Sequence, residues 1–374
     1  MKKEEKLLPS LLNKFKKDLP KSQQTLIHTL CVIISGIMIK ETVNLNKIKN
    51  QIGTITDKPQ TKANSHYRRL TRFFNNPFCR YVLWKWILHL VIKEVIGQLD
   101  KRKLSPYLLL DGTCWEFGKT SFHFLTLSIV YEKISLPIFF INLAKKGISN
   151  QAERKRFLQM ANKLYPLQGM ILLADREYVG RDWFRELIQG LGLNFIIRLS
   201  QSDYKADLQE QGISYASMCK RARKGKIIDQ SFTLGDHDLR MVITKHGQSD
   251  ELIILLTNLN YKKSRILSLY RIRWQIECLF KCLKTNGFNL EDLSFKDPAK
   301  VRLLISIVIA CYVLSVREGL AACKLNPYKL TSKKRYESVF RKGYSLLCIH
   351  SQKVVLLLQW LFLNVGITTK PKPT

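Results

Sequence analysis

Acidic residues are scarce in this chain of 374 residues: 29 aspartates and glutamates stand against 62 lysines and arginines, a net charge of +33. The sequence also lacks a CxxC pair and any HxxxH spacing, which argues against a structural zinc site. Its nine cysteines are scattered, mostly in apolar surroundings, as is typical of reduced thiols in a reducing compartment. We find no internal repeat.

Long hydrophobic runs are absent as well. The longest apolar stretches, Leu26–Ile39, Leu303–Val316 and Val354–Gly366, reach only about 13–14 residues each, which favours buried core helices over membrane spans. The first six residues lead into mixed charge and not into the apolar core of a signal peptide. We therefore expect a cytoplasmic protein without a membrane partner.

The large basic excess predicts a polyanionic partner, and nucleic acid is favoured over an anionic membrane surface. Apolar residues recur at helical spacing through Leu26–Met38 and Tyr81–Ile96. Between them, Ser65–Pro77 combines arginines with aromatic residues and ends at a turn signal. We predict that Arg68, Arg69 and Arg72 contact DNA, although an amphipathic helix with a solvated basic face would show the same pattern.

Residues 104–199 change to runs of strand length. Three apolar runs form a predicted meander, followed by helix, strand, helix and strand. This order indicates an α/β fold with an RNase H-like catalytic core. We assign 1–100 to an N-terminal helical DNA-binding domain and 101–200 with 251–322 to the core. A mostly β insertion occupies 201–250, and a helical C-terminal tail, 323–374, is a candidate for dimerisation.

Three acidic residues carry the predicted chemistry. Asp111 and Asp175 each end an apolar run, and Glu277 lies in a helical segment that begins at Tyr270. Adjacent parallel strands would place the two aspartates side by side, with Glu277 approaching from a packed helix. Separately, each has a simpler interpretation, such as a turn or a helix ion pair, but their joint order favours a catalytic site. Glu116 and Glu177 are the best rival ligands.

Carboxylate oxygens are hard ligands of the kind that Mg²⁺ prefers. Two divalent ions about 3.5–4 Å apart can clamp the attacking and leaving oxygens of a phosphodiester. We therefore predict Asp111, Asp175 and Glu277 as ligands of two Mg²⁺ ions, for which Mn²⁺ could substitute. A metal-activated water makes a separate general base unnecessary, and we interpret His123 as structural and Trp274 as part of the core.

Tyr270, Arg273, Glu277 and Lys284 recur at spacings of 3, 4 and 7, within an arc of about 60° on one helix face. This pattern resembles the YREK signature of DDE transposases of insertion-sequence family four. Leu110–Thr113 and Asp175–Tyr178 resemble the motifs around that family's first and second catalytic aspartates. The resemblance spans about residues 20–320 in the expected order, and it implies a bacterial, nucleoid-associated protein.

The resemblance implies that Asp111, Asp175 and Glu277 are the metal-binding triad, and that Tyr270, Arg273 and Lys284 position the DNA end through its phosphates. We add Lys281 as a predicted DNA contact, although it could also pair with Glu277. The implied activity is cleavage at terminal inverted repeats and strand transfer into target DNA, by a homodimer in a synaptic complex. An RNase H-like nuclease without strand transfer and an inactive DNA-binding relic remain alternatives. Some members stack a flipped base on an insertion tryptophan, which residues 200–260 lack.

Overall fold

An eight-stranded mixed sheet organises residues 104–257 of the computed structural model, which describes residues 21–92, 104–117, 120–143, 145, 147–201, 203–247, 249–325 and 337–352. The strands are β1 (Leu104–Phe117), β2 (Thr120–Tyr131), β3 (Ile134–Asn142), β4 (Ile171–Ala174), β5 (Asn194–Arg198), β6 (Ile228–Leu234), β7 (His237–Lys245) and β8 (Leu252–Thr257). Their order across the sheet is β3-β2-β1-β4-β5-β8-β7-β6.

Parallel pairing is confined to the middle of this sheet, where β4 lies between β1 and β5. All four residues of β4 are buried, as expected for a strand that is covered on both faces. At the edge, β6 alternates buried and exposed residues, which is the pattern of a strand with one solvated face. The mixed α/β class that the sequence predicted is confirmed.

The helices, in chain order, are α1 (Lys21–Lys40), α2 (Leu45–Ile48), α3 (Ile52–Ile55), α4 (Ala63–Asn75), α5 (Trp84–Leu90), α6 (Gln151–Leu164), α7 (Arg181–Arg185), α8 (Lys205–Glu210), α9 (Tyr215–Arg223), α10 (Lys263–Tyr270), α11 (Trp274–Lys284), α12 (Pro298–Leu325) and α13 (Val339–Ser351). The predicted helix through Tyr81–Ile96 begins in a π-helical turn, and its last four residues lie outside the described residues. The apolar run at 353–364 also lies outside them.

The chain divides into two compact units. One comprises 1–99, 115–120 and 280–374, and the other comprises 100–114 and 121–279. The sheet, apart from the end of β1 and the first residue of β2, belongs to the second unit. Within it, residues 201–250 hold two helices and two strands, and both strands extend the main sheet through β8.

The first unit is helical. Its longest helix, α12, is apolar and long enough over Pro298–Cys323 to cross a membrane, but 83% of that window is buried inside the protein. The bent pair Thr25–Lys40 and Leu45–Ile55 meets the same test only when counted as one span. The burial of α12 agrees with the core helix that its composition predicts.

Candidate active site

Asp111 and Asp175 occupy equivalent positions on neighbouring strands. The parallel ladder between β1 and β4 pairs Leu110 with Ala174 as its last partners, so each aspartate is the next residue beyond the ladder. Asp175 directly follows β4, as predicted. Asp111 does not end its strand, because β1 continues to Phe117; only its pairing with β4 stops there. The two carboxylates therefore lie side by side where the parallel ladder ends.

The carboxyl of Asp111 lies in an environment that disfavours its charge. Burial raises its pKa to about 7, and the charges of Glu177 and Asp175 push it in the same direction. The backbone N–H of Gly112, which donates to Asp111 Oδ1 at 2.8 Å, and the guanidinium of Arg273 oppose this rise. Burial is the main cause of the raised pKa, and a cation bound beside Asp111 would favour its charged form.

Gly112 leaves room for a buried histidine behind this strand. A β-carbon at Gly112 would lie 2.7 Å from His123 Nε2 and 3.7 Å from Tyr178 Oη. His123 is only 2% exposed, in agreement with the structural role that we predicted for it. A side chain at position 112 would therefore displace His123 and disturb the backbone that carries Asp111.

The turn that carries Asp175 is held by backbone hydrogen bonds and by the packing of Tyr178 against Arg154. The N–H of Arg176 donates to Asp175 Oδ1 at 2.8 Å, and the N–H of Tyr178 donates to the carbonyl of Asp175 at 3.0 Å. Tyr178 is fully buried, and the guanidinium of Arg154 from α6 lies 5.0 Å from its ring centre. Arg154 in turn donates to Ser149 Oγ at 2.8 Å. This packing fixes the position of Asp175, and nothing in the spacing of the sequence pointed to Arg154.

The periodicity predicted one continuous α-helix for the segment that carries Glu277, but the structure interrupts this helix with a 3₁₀ turn. Tyr270 is the last residue of α10, Arg273 ends a 3₁₀ turn at Arg271–Arg273, and Glu277 lies in the first turn of α11. The 3₁₀ turn packs against β4. As a result, the hydroxyl of Tyr270 reaches Asp175 Oδ1 at 3.4 Å. Burial, reinforced by the charge of Asp175, raises the pKa of Tyr270, so the phenol stays protonated.

Arg273 links the helix to the sheet. Its Nη2 donates to Glu277 Oε1 at 2.5 Å, and its Nη1 lies 3.5 Å from Asp111 Oδ2. Burial works to lower the pKa of Arg273, but its interactions with Tyr270, Asp175 and Asp111 prevail and raise it. Arg273 is thus the resident cation among the three predicted ligands.

Two predicted DNA contacts, Lys281 and Lys284, lie further along α11. Lys281 is exposed, whereas Lys284, the last residue of the helix, pairs with Glu291 at 3.1 Å. The structure therefore brings together Asp111, Asp175, Tyr270, Arg273 and Glu277, with the lysines one to two turns away along the same helix.

The rival carboxylates have different positions. Glu177 lies close enough to Asp111 to raise its pKa, so it contributes to the same negative cluster. Glu116 is exposed near the end of β1, in the segment that belongs to the other compact unit. Of the two rival residues, only Glu177 contributes to the electrostatics of Asp111.

Trp274 is exposed, and our prediction that it belongs to the core is wrong. Its side chain is 59% exposed at the start of α11, between Arg273 and the turn that holds Glu277. The periodicity of the helix did not show this, because the 3₁₀ turn changes the helical phase at this point. A large exposed indole next to a cluster of charged residues suits contact with a planar partner.

The three N-terminal arginines have different surroundings. Arg68 and Arg72 are exposed on α4. Arg69 points inward, where Nη2 donates to His28 Nδ1 at 2.7 Å and Nε donates to Thr29 Oγ1 at 3.2 Å. Arg69 thus ties α4 to α1, and Arg68 and Arg72 are the ones placed to meet a ligand.

Within the described part of the chain, no group of three or more histidine, cysteine, aspartate or glutamate residues is arranged to hold a metal ion. The guanidinium of Arg273 lies between the carboxylates of Asp111 and Glu277. The donor set nevertheless fits a divalent cation, because it offers hard carboxylate oxygens at adjacent strand positions.

Comparison with known proteins gives one family. No curated protein matches the sequence. A solved structure described as the piggyBac transposase synaptic complex with hairpin DNA aligns with a TM-score of 0.52 at 10% identity, covering 94% of this chain and 77% of that chain; at this identity the likeness concerns the fold. The model of the family "Transposase DDE domain" matches residues 103–314, a region that includes Asp111, Asp175 and Glu277. Because that match covers more than half of the chain, the protein belongs to the transposase DDE-domain family.

Proposed function

We propose that this protein is a metal-dependent transposase of the cut-and-paste type, which cleaves DNA at the ends of a mobile element and joins the freed 3′ hydroxyl to target DNA. The observation that carries the proposal is the position of Asp111 and Asp175, each directly after the last paired residue of two neighbouring parallel strands, with Glu277 connected to Asp111 through Arg273. The sheet order β3-β2-β1-β4-β5, with β1, β4 and β5 parallel, supports an RNase H-like layout for this core.

Asp111, Asp175 and Glu277 would hold the divalent ions, with Mg²⁺ as the expected metal and Mn²⁺ as a substitute. Such ions supply Lewis-acid activation of water and of the scissile phosphate. Glu177 is close enough to Asp111 to add negative charge to the same site. The insertion-sequence family four assignment rests on the Tyr270–Lys284 signature and is part of the proposal.

The remaining residues of the site bind and orient the DNA. Arg273 can exchange a carboxylate for a phosphate oxygen, because its planar guanidinium forms paired hydrogen bonds with either group. Tyr270, whose phenol stays protonated, can donate to a phosphate oxygen as it does to Asp175. Lys281 and Lys284 add point charges further along α11. The net charge of +33 supports double-stranded DNA as the partner. A homodimer that acts in the cytoplasm is part of the proposal.

The proposal is tested with the full-length chain and the DNA that flanks its gene. In the presence of Mg²⁺ or Mn²⁺, and of a supercoiled target plasmid, we expect joined products as well as cleaved ends. Nicks without joined products would indicate a nuclease instead. If neither appears with either metal while the protein binds the DNA, the chain is a DNA-binding protein without this activity. Asp111→Asn is the matched inactive control.

A further inference from the structure

The strand β6 (Ile228–Leu234) forms one edge of the sheet. In the part of the chain that the structure describes, its only neighbouring strand is β7, which pairs with it along its whole length. Three side chains on one face of β6, those of Asp229, Ser231 and Thr233, are exposed. An edge strand also presents a row of backbone N–H and C=O groups that its own sheet does not use.

The side chain of Gln211 shows which backbone groups of β6 point away from the sheet. Its Nε2 donates to the carbonyl of Thr233 at 2.7 Å, and the N–H of Thr233 donates to its Oε1 at 2.8 Å. Because the direction of these groups alternates along an antiparallel strand, the N–H and C=O groups of Ser231 and Asp229 point the same way. Of these four groups, the described residues bond only the carbonyl of Ser231, to which Gln230 Nε2 donates at 2.9 Å. The amide of Gln211 thus takes the place that a further strand would occupy.

The two ends of β6 carry opposite charge. Five exposed cations precede the strand, and the sequence from Gln211 to Ile228 contains no aspartate or glutamate. None of the five forms an ion pair with a described residue. They are Lys220, Arg221, Arg223, Lys224 and Lys226. At the other end, Asp236 and Asp238 are exposed around the turn into β7, and no lysine or arginine occurs from 227 to 239. The edge therefore runs from a basic end to an acidic end.

This distribution of charge favours a second copy of the chain as the partner. If the β6 strands of two copies pair in antiparallel fashion, the basic end of each lies against the acidic end of the other. A nucleic acid would meet favourable charges at the basic end alone and would be repelled by Asp236 and Asp238. An antiparallel pair of identical strands is also related by a two-fold axis, which is the commonest symmetry of protein oligomers.

We propose that β6 is a homodimer interface, in which the strands of two copies pair antiparallel about a two-fold axis at Ser231. In this register Ser231 faces its own copy, and Asp229 faces Thr233 of the second copy. An axis at Asp229 would instead bring two carboxylates together. The register uses the outward backbone groups of all three residues, and its hydrogen bonds replace the two that the exposed Gln211 gives up. The inference rests on the proposed function for the role of the dimer, whereas the pairing itself is tested without DNA.

The first test is the oligomeric state of the full-length, DNA-free chain, measured by sedimentation over a range of protein concentrations. We expect the wild-type chain to form a dimer. Ser231→Pro should be monomeric, because proline removes an N–H that faces the second copy and that β7 does not use. Ser231→Ala, which keeps this N–H, is the matched control and should dimerise like the wild-type chain.

The register is tested by disulfide cross-linking with diamide. Residues that face each other in a hydrogen-bonded antiparallel pair have their Cα atoms about 5.5 Å apart, which a disulfide can span. Ser231→Cys should therefore give a covalent dimer on a non-reducing gel. Thr233→Cys, which does not face itself in this register, is the control, and the wild-type chain gives the background from the native cysteines.

The opposite charges are tested by exchanging them. Lys226→Glu and Asp236→Lys should each raise the dissociation constant of the dimer by about 5- to 30-fold, since the two-fold axis doubles the effect of each substitution. The double variant should restore most of the wild-type affinity. At concentrations at which the chain is monomeric, all three should keep the wild-type melting temperature.

A wild-type chain that stays monomeric at every concentration overturns the proposal. A dimer that persists in Ser231→Pro places the interface elsewhere, and equal cross-linking at positions 231 and 233 rejects the register. A double charge variant that dimerises no better than the single ones rejects the antiparallel arrangement. If Ser231→Pro melts at a lower temperature than Ser231→Ala, the cross-linking and charge exchange decide. Metal-dependent cleavage by the wild-type chain, measured separately, shows whether the proposed function stands when the interface fails.

Discussion

The guanidinium of Arg273 lies between Glu277 and Asp111, with its two terminal nitrogens 2.5 Å and 3.5 Å from their oxygens. In the DNA-free protein, this side chain supplies the positive charge that a cluster of carboxylates requires. The same guanidinium is the group best suited to grip a phosphate. We therefore expect Arg273 to compete with a metal ion for the carboxylates when no DNA is bound.

Removing this competitor should strengthen metal binding. For Arg273→Ala without DNA, we expect tighter binding of Mn²⁺ than in the wild-type protein, measured by calorimetry or by the loss of the free-ion EPR signal. The same variant should bind DNA more weakly, and its log–log salt dependence should flatten by about one unit for the lost phosphate contact. Arg271→Ala, which removes an exposed arginine two residues away, is the control and should change neither metal binding nor cleavage.

Two results would contradict this interpretation of Arg273. If Mn²⁺ binds more weakly to the alanine variant, the arginine supports the metal site instead of competing for it. If the salt dependence is unchanged, Arg273 does not contact a phosphate.

Neutralising either strand aspartate should stop cleavage without preventing DNA binding. Asp111→Asn and Asp175→Asn keep the size of the side chain and remove only its charge, so we expect cleavage to fall by more than about 100-fold. Glu277→Gln should behave in the same way. The measurement is single-turnover cleavage next to a binding assay on the same DNA. Asp182→Asn, at an exposed position on α7, is the control. Normal cleavage by any one of the first three variants would remove that residue from the triad.

The positions of the two aspartates were readable from the sequence, since buried parallel strands give continuous apolar runs and the first carboxylate after such a run marks the end of its pairing. For Asp175 this worked completely. For Asp111 the same rule correctly gave the end of pairing with β4 but not the end of the strand. β1 has β2 as its other neighbour and continues to Phe117. The length of a strand depends on pairing with the strands on both sides, and the sequence pattern of the strand itself does not show that pairing.

The surroundings of the site were harder to predict for the same physical reason. The exposure of Trp274 follows from a 3₁₀ turn that the helical period does not reveal. The inward position of Arg69 depends on His28 and Thr29, about 40 residues away. The support of Tyr178 by Arg154 joins a turn to a distant helix. Each of these contacts depends on tertiary packing, which a single sequence does not encode in its spacing.

The exposed indole of Trp274 should contribute to DNA engagement and little to stability. Base–aromatic stacking contributes about 1–3 kcal/mol, so we expect Trp274→Ala to bind DNA ends with unpaired bases about 5- to 100-fold more weakly. Because the side chain is 59% exposed, the free energy of unfolding should change by less than about 0.5 kcal/mol. Trp274→Phe, which keeps an aromatic face, should recover most of the binding. Unchanged binding by the alanine variant, or a marked loss of stability, would place Trp274 in another role.

Asp292 should make the helical unit more stable at neutral pH than in acid. Its carboxylate accepts hydrogen bonds from Thr42 Oγ1 at 2.6 Å, Lys47 Nζ at 2.7 Å and Asn44 Nδ2 at 3.2 Å. Burial works to raise its pKa, but these bonds prevail and lower it below the ordinary value of 3.8. A lowered pKa means that the stabilisation is present above the unfolded pKa and is lost as the pH falls through the folded pKa.

Asp292→Asn should therefore reduce the free energy of unfolding at pH 7 by about 1–2 kcal/mol, measured by urea denaturation. The difference from the wild-type protein should begin to shrink as the pH falls below about 4 and should disappear below the folded pKa of Asp292. Asp236→Asn, at an exposed turn, is the control and should show no such difference. A difference that persists unchanged at pH 3 would show that the lost interaction is not the charge of Asp292.

Because α12 and α13 approach closely at Gly343, a Gly→Ala substitution there should lower the free energy of unfolding instead of raising it. A β-carbon at Gly343 would lie 1.8 Å from the carbonyl oxygen of Ser315 and 2.4 Å from the backbone nitrogen of Gly319. These are backbone atoms of the facing helix, so the two helices would have to separate. In an isolated helix, Gly→Ala stabilises by about 0.5–1 kcal/mol. Here we expect Gly343→Ala to destabilise by about 3 kcal/mol or more, as measured by thermal or urea denaturation. Ser345→Ala, at an exposed position on the same helix, should be close to neutral. A neutral or stabilising Gly343→Ala would mean that α12 and α13 are further apart in solution than the contact at Ser315 requires.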